Sequence, residues 1–148
     1  MRSFGIKMVA AGFCVAALAQ PAVAKDIVVK MVTKGPTGAY AFEPALVKAD
    51  VGDRIRYVPA DATHNAEIIP GMVPAGFTAP KGAMGKEFIL TVSKPGVYGV
   101  KCLPHVSMGM VGLVQAGKGP SPNLAAAKAV KLPPLSAKRM TPMLAQVK

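Results

Sequence analysis

Short apolar runs separated by turn residues recur along most of the chain. Runs of about four to eight residues that are rich in β-branched and aromatic side chains and are bounded by Gly, Pro, Asn or Asp are typical of β-strands. The pattern therefore predicts an all-β fold, with strands at residues 27–33, 46–49, 54–59, 88–92, 97–102 and 110–115.

One turn signal is specific enough to predict a strand pairing. Pro95 and Gly96 occupy the two central positions of a four-residue turn between two of the predicted strands. A type II turn favours proline at the first of these positions and glycine at the second. The turn therefore predicts a hairpin formed by residues 88–92 and 97–102.

Two stretches interrupt the strand pattern. Residues 60–85 contain several prolines and glycines, and they predict a long irregular connection that carries His64. From Ser121 the composition changes to alanine-rich. Ser121 can serve as the N-cap and Pro122 as the first residue of a helix that continues through the alanine-rich residues 123–132 and ends before Pro133.

A second C-terminal helix is predicted over residues 136–148. Pro142 would break the interior of this helix at a cost of roughly 3 kcal/mol, unless Thr141 caps a new turn there. The expected fold is thus all-β with one or two C-terminal helices.

The N-terminal segment has the features of a secretory signal peptide. Arg2 and Lys7 supply a charged start, residues 8–19 are apolar, and a small-residue cleavage site follows. The apolar stretch is shorter than the roughly 20 residues that a membrane-spanning helix needs. We therefore expect residues 1–24 to be removed on export, without leaving a membrane anchor, and the mature chain to begin at Lys25.

The remaining chain is the right length for a single domain with one core. We expect residues 25–118 to form an all-β domain and residues 119–148 a helical extension packed on it. Because Cys14 belongs to the signal segment, the mature chain contains one cysteine, Cys102. A lone cysteine in an oxidising compartment cannot form an intramolecular disulfide, and a bound metal would occupy it.

The position of Cys102 at the end of a predicted strand indicates how its thiol is shielded. Side chains along a strand alternate between two faces, so Cys102 shares a face with Tyr98 and Val100. If that face is the inner one, the thiol is protected from solvent.

The chain is strongly basic, with a formal net charge of +11, which falls to about +9 when the two basic residues of the signal segment are removed. Nucleic acid is disfavoured as a partner, because the chain is exported, has no run of five basic residues and has few aromatic residues for base stacking. Such charge mainly accelerates the encounter with an oppositely charged surface. We therefore expect an acidic protein partner.

The candidate chemistry concentrates around Cys102. His105 follows it by three residues and Met110 by eight, and the whole chain contains only one other histidine, His64. Thiolate, imidazole and thioether ligands select copper over the oxygen-preferring ions calcium, magnesium and manganese. A structural zinc site would need further cysteines or histidines. The sequence therefore predicts one copper ion bound by His64, Cys102, His105 and Met110.

Simpler interpretations of these residues stay open. Cys102 could be an inert core residue, each histidine could be solvated, and the methionines could simply pack in the core. Met108 also competes with Met110 as the axial ligand, although it would need a loop two residues shorter. The coincidence of four placements favours the copper site over the separate structural explanations.

The segment around Cys102 resembles the copper loop of pseudoazurins, which are small bacterial cupredoxins. The similarity is carried by the residues at 97–102, 104–105 and 108–110, and His64-Asn65 resembles the upstream ligand and the residue after it. It extends over essentially the whole mature chain, including the two C-terminal helices that set pseudoazurins apart from plastocyanins. The loop departs from the common family pattern at Leu103, Val106 and Ser107.

This resemblance implies an eight-stranded Greek-key cupredoxin β-sandwich with one type 1 (blue) copper ion near one end. It implies a monomeric periplasmic protein that cycles between Cu(II) and Cu(I) and donates single electrons to a respiratory reductase such as nitrite reductase. The implied partners are acidic periplasmic redox proteins, with a nitrite reductase-like acceptor and a cytochrome-like donor.

Several residues are expected to support the site. We expect Asn65 to tie the two ligand loops together, Pro104 to contribute no N–H group near the sulfur, and Tyr40, which stands where the family often has methionine, to pack against His105. A docking surface near His105 would combine apolar neighbours with basic side chains. The candidates for it are Lys34, Lys81, Lys101, Pro104 and Val106.

Other functions compete with electron transfer. An enzyme is disfavoured, because four protein ligands leave no open position on the metal, so we expect a carrier. The alternatives are a periplasmic copper-delivery protein and a non-redox β-sandwich binding module. A blue Cu(II) form that is bleached and restored by redox reagents would separate the carrier from both.

Overall fold

The computed structural model describes residues 23–78 and 80–148, so the predicted signal segment lies outside it except for its last two residues. Within these ranges, eight strands form two four-stranded sheets. In chain order the strands are β1 (Asp26–Gly35), β2 (Gly38–Glu43), β3 (Leu46–Ala49), β4 (Arg54–Pro59), β5 (Glu67–Ile68), β6 (Phe88–Thr91), β7 (Gly96–Lys101) and β8 (Val111–Ala116).

The strands are ordered β2-β1-β4-β6 in the first sheet and β3-β8-β7-β5 in the second. Strands β1 and β4 pair in parallel, as do β3 and β8, while the other neighbours are antiparallel. A short 3₁₀-helix (Val106–Met108) and two α-helices, α1 (Leu124–Ala129) and α2 (Pro134–Ala145), complete the fold. The predicted all-β sandwich with C-terminal helices is confirmed.

The main core lies between the two sheets, and its largest fully buried side chains include Tyr57, Tyr98 and Phe42. The predicted alternation along β7 is confirmed, because Tyr98, Val100 and Cys102 all belong to this core. The opposite face of the second sheet is covered too.

A second apolar cluster fills the space between the second sheet and the helices. It contains Val97 and Leu113 from β7 and β8, together with Met140 and Leu144 from α2. Burial on both faces explains why β7 and β8 read as continuous apolar runs. The described residues include no helix that is long and apolar enough to cross a membrane.

The predicted hairpin between residues 88–92 and 97–102 is wrong. Strand β6 pairs with β4 in the first sheet, whereas β7 pairs with β8 and β5 in the second. The Pro95-Gly96 turn therefore carries the chain from one sheet to the other. The hydroxyl of Tyr98 closes this turn by donating to the carbonyl of Lys94 at 2.7 Å.

Helix α1 is shorter than predicted and starts at a different cap. Its N-cap is Asn123, not Ser121, and it ends at Ala129. The Asn123 side chain does not cap the helix; its Oδ1 accepts the N–H of Val97 at 2.9 Å and its Nδ2 donates to the carbonyl of Val97 at 2.8 Å. This exchange fixes the start of α1 against the start of β7.

Helix α2 continues through Pro142, so the predicted interruption does not occur. Proline lacks the N–H that would bond to the carbonyl four residues earlier, and that carbonyl belongs to Lys138. Both residues are exposed, so solvent can satisfy the freed carbonyl. Thr141 does not cap a new turn, because its hydroxyl donates to the carbonyl of Ala137 at 2.8 Å.

Asp53 fixes the turn that precedes β4. One carboxylate oxygen accepts the backbone N–H of Lys25 and the other accepts that of Asp50, each at 2.9 Å. The side chain is buried, at 3% exposure. These hydrogen bonds, chiefly the one from Lys25, hold the pKa of Asp53 below its ordinary value.

We expect Asp53→Asn to lower the free energy of unfolding at pH 7 by about 1–2 kcal/mol, because hydrogen bonds to a charged group contribute more than those to a neutral amide. A carboxyl with a lowered folded pKa stabilises fully above its unfolded pKa of about 3.9, and the stabilisation is lost as pH falls through the folded pKa. Urea unfolding at pH 7 and at about pH 2 checks this. The difference between variant and wild type should shrink on acidification, and a constant difference would contradict the assignment. Asp50→Asn, in an exposed ion pair, is the control.

Candidate metal centre

Two loops at one end of the sandwich bring His64, Cys102 and His105 together. The donor atoms of these residues all lie within 4.8 Å of one another. The Nδ1 atoms of the two imidazoles are 3.2 Å apart, and the Cys102 Sγ lies 3.9 Å from Nδ1 of His64 and 3.5 Å from Nδ1 of His105. Two imidazoles and a thiol facing one point form the donor set that a trigonal copper site requires.

Burial affects the protonation of His64 and Cys102. His64 is fully buried, and burial lowers the pKa of its imidazole, which favours the neutral form that binds metals. Burial has the opposite effect on an acidic thiol and raises the pKa of Cys102, although backbone N–H groups of Asn65 and His105 near the sulfur oppose that rise. A cation would displace the thiol proton, because the thiolate is the form that binds metals.

The far side of the His64 ring is held by two residues that the sequence did not reveal, Thr33 and Asp61. The Nε2 atom of His64 lies 2.9 Å from Oγ1 of Thr33, which donates to Asp61 at 2.9 Å. The Nε2–H therefore donates to the threonine oxygen, and Nδ1 is left free to bind a metal.

Thr63 keeps the Asp61 carboxylate in place for this chain of hydrogen bonds. Both the hydroxyl and the backbone N–H of Thr63 donate to Asp61, and they lower its pKa to about 2. An aspartate whose side chain accepts the backbone N–H of the residue two positions later forms a recognisable turn motif. Asp61 forms this motif three residues before His64. That signal could have identified Asp61 from the sequence.

The two candidate axial ligands differ in burial. Met110 is fully buried within the same core cluster as Cys102, whereas Met108 is 44% exposed. The backbone also ties Met110 to the loop, since its carbonyl accepts the N–H of Cys102 and its N–H donates to the carbonyl of His105, each at 3.1 Å. Met110 is therefore the better placed of the two.

Asn65 links the two ligand loops through its side-chain amide. Its Oδ1 accepts the backbone N–H of Leu103 at 2.8 Å, and its Nδ2 donates to the carbonyl of Gly82 at 3.1 Å. The residue is 3% exposed. On the other side of the site, the ring of Tyr40 lies on that of His105, with centroids 4.5 Å apart and planes inclined by 36°.

The candidate docking residues fall into two groups. Lys34, Lys81 and Pro104 are exposed. In contrast, Lys101 pairs with the buried Glu67 at 3.4 Å and keeps only 21% of its side chain exposed, while Val106 packs against the cluster beneath the helices. Both residues are thus only partly exposed, and their place in the docking surface stays a prediction.

Two exposed apolar residues beside His105 were not among the docking residues predicted from the sequence. Leu103 and Met108 are 54% and 44% exposed, and they flank the half-buried His105 in the chain. Their large apolar side chains, close to a candidate ligand in a predicted loop, could have indicated a docking surface. Together with Pro104 they give the His105 end of the molecule an apolar surface.

Comparison with known proteins places this site in a family. The sequence model of copper-binding proteins of the plastocyanin/azurin family matches residues 29–117. Pseudoazurin from Paracoccus pantotrophus is 47% identical over 144 residues, which cover 97% of this chain and 99% of that protein. The chain belongs to the pseudoazurin family.

Solved pseudoazurins share the fold over nearly their whole length. The structure of pseudoazurin from Methylobacterium extorquens AM1 has a TM-score of 0.79 at 45% identity and is matched over 99% of its chain and 83% of this one. Pseudoazurin from Hyphomicrobium denitrificans has a TM-score of 0.77 at 38% identity, with 98% and 83% of the two chains covered. The cupredoxin fold expected from the sequence is therefore confirmed.

Membership of the pseudoazurin family establishes the cofactor and the general role. The protein is a blue copper electron-transfer protein of the cupredoxin family, and its His64, Cys102 and His105 cluster is consistent with a single type 1 copper ion. As an electron carrier, a pseudoazurin works with redox partners.

Proposed function

We propose that this pseudoazurin is a monomeric periplasmic carrier that binds copper through His64, Cys102, His105 and Met110 and donates single electrons to a respiratory reductase. One observation carries the ligand assignment: the only two histidines of the sequence and the thiol of Cys102 converge within 4.8 Å at one end of the sandwich. The complete burial of Met110 supports it as the fourth ligand.

The protein's own residues hold the ligands still. When bound, copper supplies the one-electron Cu(II)/Cu(I) couple. Thr33 fixes His64 from behind, and Asn65 joins the two loops. Because His64 and Cys102 are fully buried, they would be kept from water, and the hydrogen bonds around them would orient them toward the bound ion.

His105 provides the path for the electron between the site and a partner. It is the one half-buried member of the three-residue cluster, and exposed Leu103, Pro104 and Met108 surround it in the sequence. An apolar surface of this kind excludes water on docking. Exposed Lys34 and Lys81 would attract an acidic partner to the same end of the molecule.

The positive charge of the chain indicates the kind of partner it meets. A nitrite reductase-like acceptor and a cytochrome-like donor, both with acidic surfaces, fit the positive charge of the chain.

The features of residues 1–24 support export with cleavage after Ala24. Cell fractionation followed by N-terminal sequencing tests this, with Lys25 expected as the first residue of a periplasmic protein; an intact precursor in the cytoplasm would contradict it.

The electron-transfer proposal is tested with the purified copper protein. A blue Cu(II) form should be bleached by ascorbate and restored by ferricyanide. Stopped-flow mixing of the reduced protein with a copper nitrite reductase should then restore the colour at a rate that depends on reductase concentration. If the reduced protein stays colourless with this enzyme but is reoxidised by another periplasmic reductase, the proposed acceptor is wrong and the carrier role is retained.

We expect Lys34→Glu and Lys81→Glu to slow reoxidation by an acidic partner about tenfold at low salt, because electrostatic steering raises association rates by 10–10³. The difference should disappear as the screening length falls from about 10 Å at 0.1 M salt to about 3 Å at 1 M. Lys118→Glu is the matched control, since Lys118 is exposed and follows the end of β8 that points away from the ligand loop. Equal slowing by all three variants would show that net charge, not the placement of the lysines, controls the rate.

A further inference from the structure

Arg139 of α2 donates hydrogen bonds to three backbone carbonyls in two distant segments. Its Nη1 donates to Tyr40 at 2.7 Å and to Gly109 at 3.0 Å, and its Nη2 donates to Ala39 at 2.9 Å. The guanidinium presents these donors in a fixed planar arrangement that lysine cannot reproduce. One side chain thus joins strand β2 to the loop that carries His105.

On the loop side, Arg139 packs directly over Gly109. This glycine ends the 3₁₀-helix with φ of +87°, and a Cβ at this position would lie 3.1 Å from Cδ and Nε of Arg139. One turn earlier on α2, the Ser136 hydroxyl donates to the carbonyl of Val106. Helix α2 therefore holds both ends of the short segment between the proposed ligands His105 and Met110.

On the strand side, Arg139 supports an unusual backbone conformation. Tyr40 has φ of +49° and is the non-glycine residue with positive φ in the described part of the chain, a region that side chains with a Cβ rarely adopt. The bonds from Arg139 to the carbonyls of Ala39 and Tyr40 hold the chain there. This conformation places the Tyr40 ring 4.5 Å from that of His105.

We propose that Arg139 is a positioning residue of the copper site, which sets the orientation of the His105 ring by fixing the backbone of Tyr40 on one side and of Gly109 on the other. Partners outside the ligand set that orient a metal-bound histidine tune the properties of the metal. Arg139 is 34 residues from His105 in the chain, and these contacts connect the two. The inference rests on the ligand set proposed above.

Two substitutions separate positioning from charge. Arg139→Lys keeps the positive charge but cannot donate to three carbonyls in the same geometry, and Arg139→Met keeps an unbranched apolar stem without charge. We expect both to shift the reduction potential and to change the thiolate-to-copper absorption and electron spin resonance spectra. Lys138→Met, an exposed neighbour on the same helix, removes one charge as a control and should leave both spectra as in the wild type.

The outcomes distinguish this proposal from simpler ones. A shift in Arg139→Met but not in Arg139→Lys would show an effect of charge alone and would overturn positioning. Wild-type spectra and potential in both variants would also overturn it, even if denaturant unfolding showed lower stability. A wild-type protein that forms no blue copper site would instead overturn the ligand set.

A double-mutant comparison tests the route through Tyr40. Tyr40→Gly removes the ring and relieves the need for support at positive φ. The shift caused by Arg139→Lys should be smaller in this background than in the wild type. Equal shifts in the two backgrounds would overturn the part of the proposal that passes through Tyr40.

Discussion

Cys102→Ser is expected to abolish the blue colour and to weaken copper binding by more than the roughly 10–100-fold typical of losing an outer partner of a metal ligand. The thiolate is the soft donor that selects copper, and a serine hydroxyl keeps its proton near neutral pH. The variant should remain folded, because the change is nearly isosteric within the core between the sheets. Visible absorption, copper titration and circular dichroism check these three points.

The second cysteine of the sequence gives a matched control for this substitution. Cys14 lies in the segment that we propose is removed on export, so Cys14→Ser should leave the mature protein blue and its copper affinity unchanged. Retention of the intense absorption in Cys102→Ser would contradict the assignment of Cys102 as a ligand.

Met110→Leu is expected to raise the reduction potential by tens of millivolts, given that a tenfold change in the relative stability of the two oxidation states corresponds to about 59 mV for one electron. A weak axial thioether donates electron density that Cu(II) needs more than Cu(I), and the axial ligand is a known determinant of potential in such sites. Leucine offers no donor atom but fills a similar volume in the core. Cyclic voltammetry of the copper protein measures the shift.

Met108→Leu is the control for the axial assignment, because the same change is made two residues away on a side chain that is 44% exposed. Its potential should match that of the wild type. A larger shift in Met108→Leu than in Met110→Leu would identify Met108 as the axial ligand and would require a different arrangement of the loop after His105.

The copper ligands could be proposed from the sequence because the chain offers so few alternatives. The sequence contains two histidines in all and one cysteine outside the signal segment. A site for a metal that prefers nitrogen and sulfur ligands therefore has few possible ligand sets. The strands with strong apolar patterns were predictable for a similar reason. Strand β5, with two residues, and β2, which contains the positive φ of Tyr40, carry too little local pattern to be recognised.

The errors in the predicted fold arise where local signals do not determine tertiary partners. The Pro95-Gly96 turn is a good turn sequence, but turn chemistry alone does not specify whether the next strand stays in the same sheet. Pro142 is unfavourable inside a helix in general, yet its exposed position makes the lost hydrogen bond tolerable. In each case the deciding fact is where the neighbouring residues lie in space.

The residues that support the site were the hardest to predict. Thr33 reaches His64 across 31 residues of chain, and Arg139 reaches Tyr40 across 99. Neither residue type signals a role near a metal, because threonine and arginine are common at exposed positions. Only the packing of β1 and α2 around the ligand loops identifies them.

The hydrogen bond between the backbone nitrogen of Lys25 and Asp53 acquires a further meaning under the proposed cleavage after Ala24. Cleavage would convert this amide nitrogen into a terminal ammonium group that faces a carboxylate oriented toward it at 2.9 Å. Charge-assisted hydrogen bonds are roughly twice as strong as neutral ones. Maturation would therefore tighten the contact between the starts of β1 and β4, the two central strands of the first sheet, and the precursor would be the less stable of the two forms.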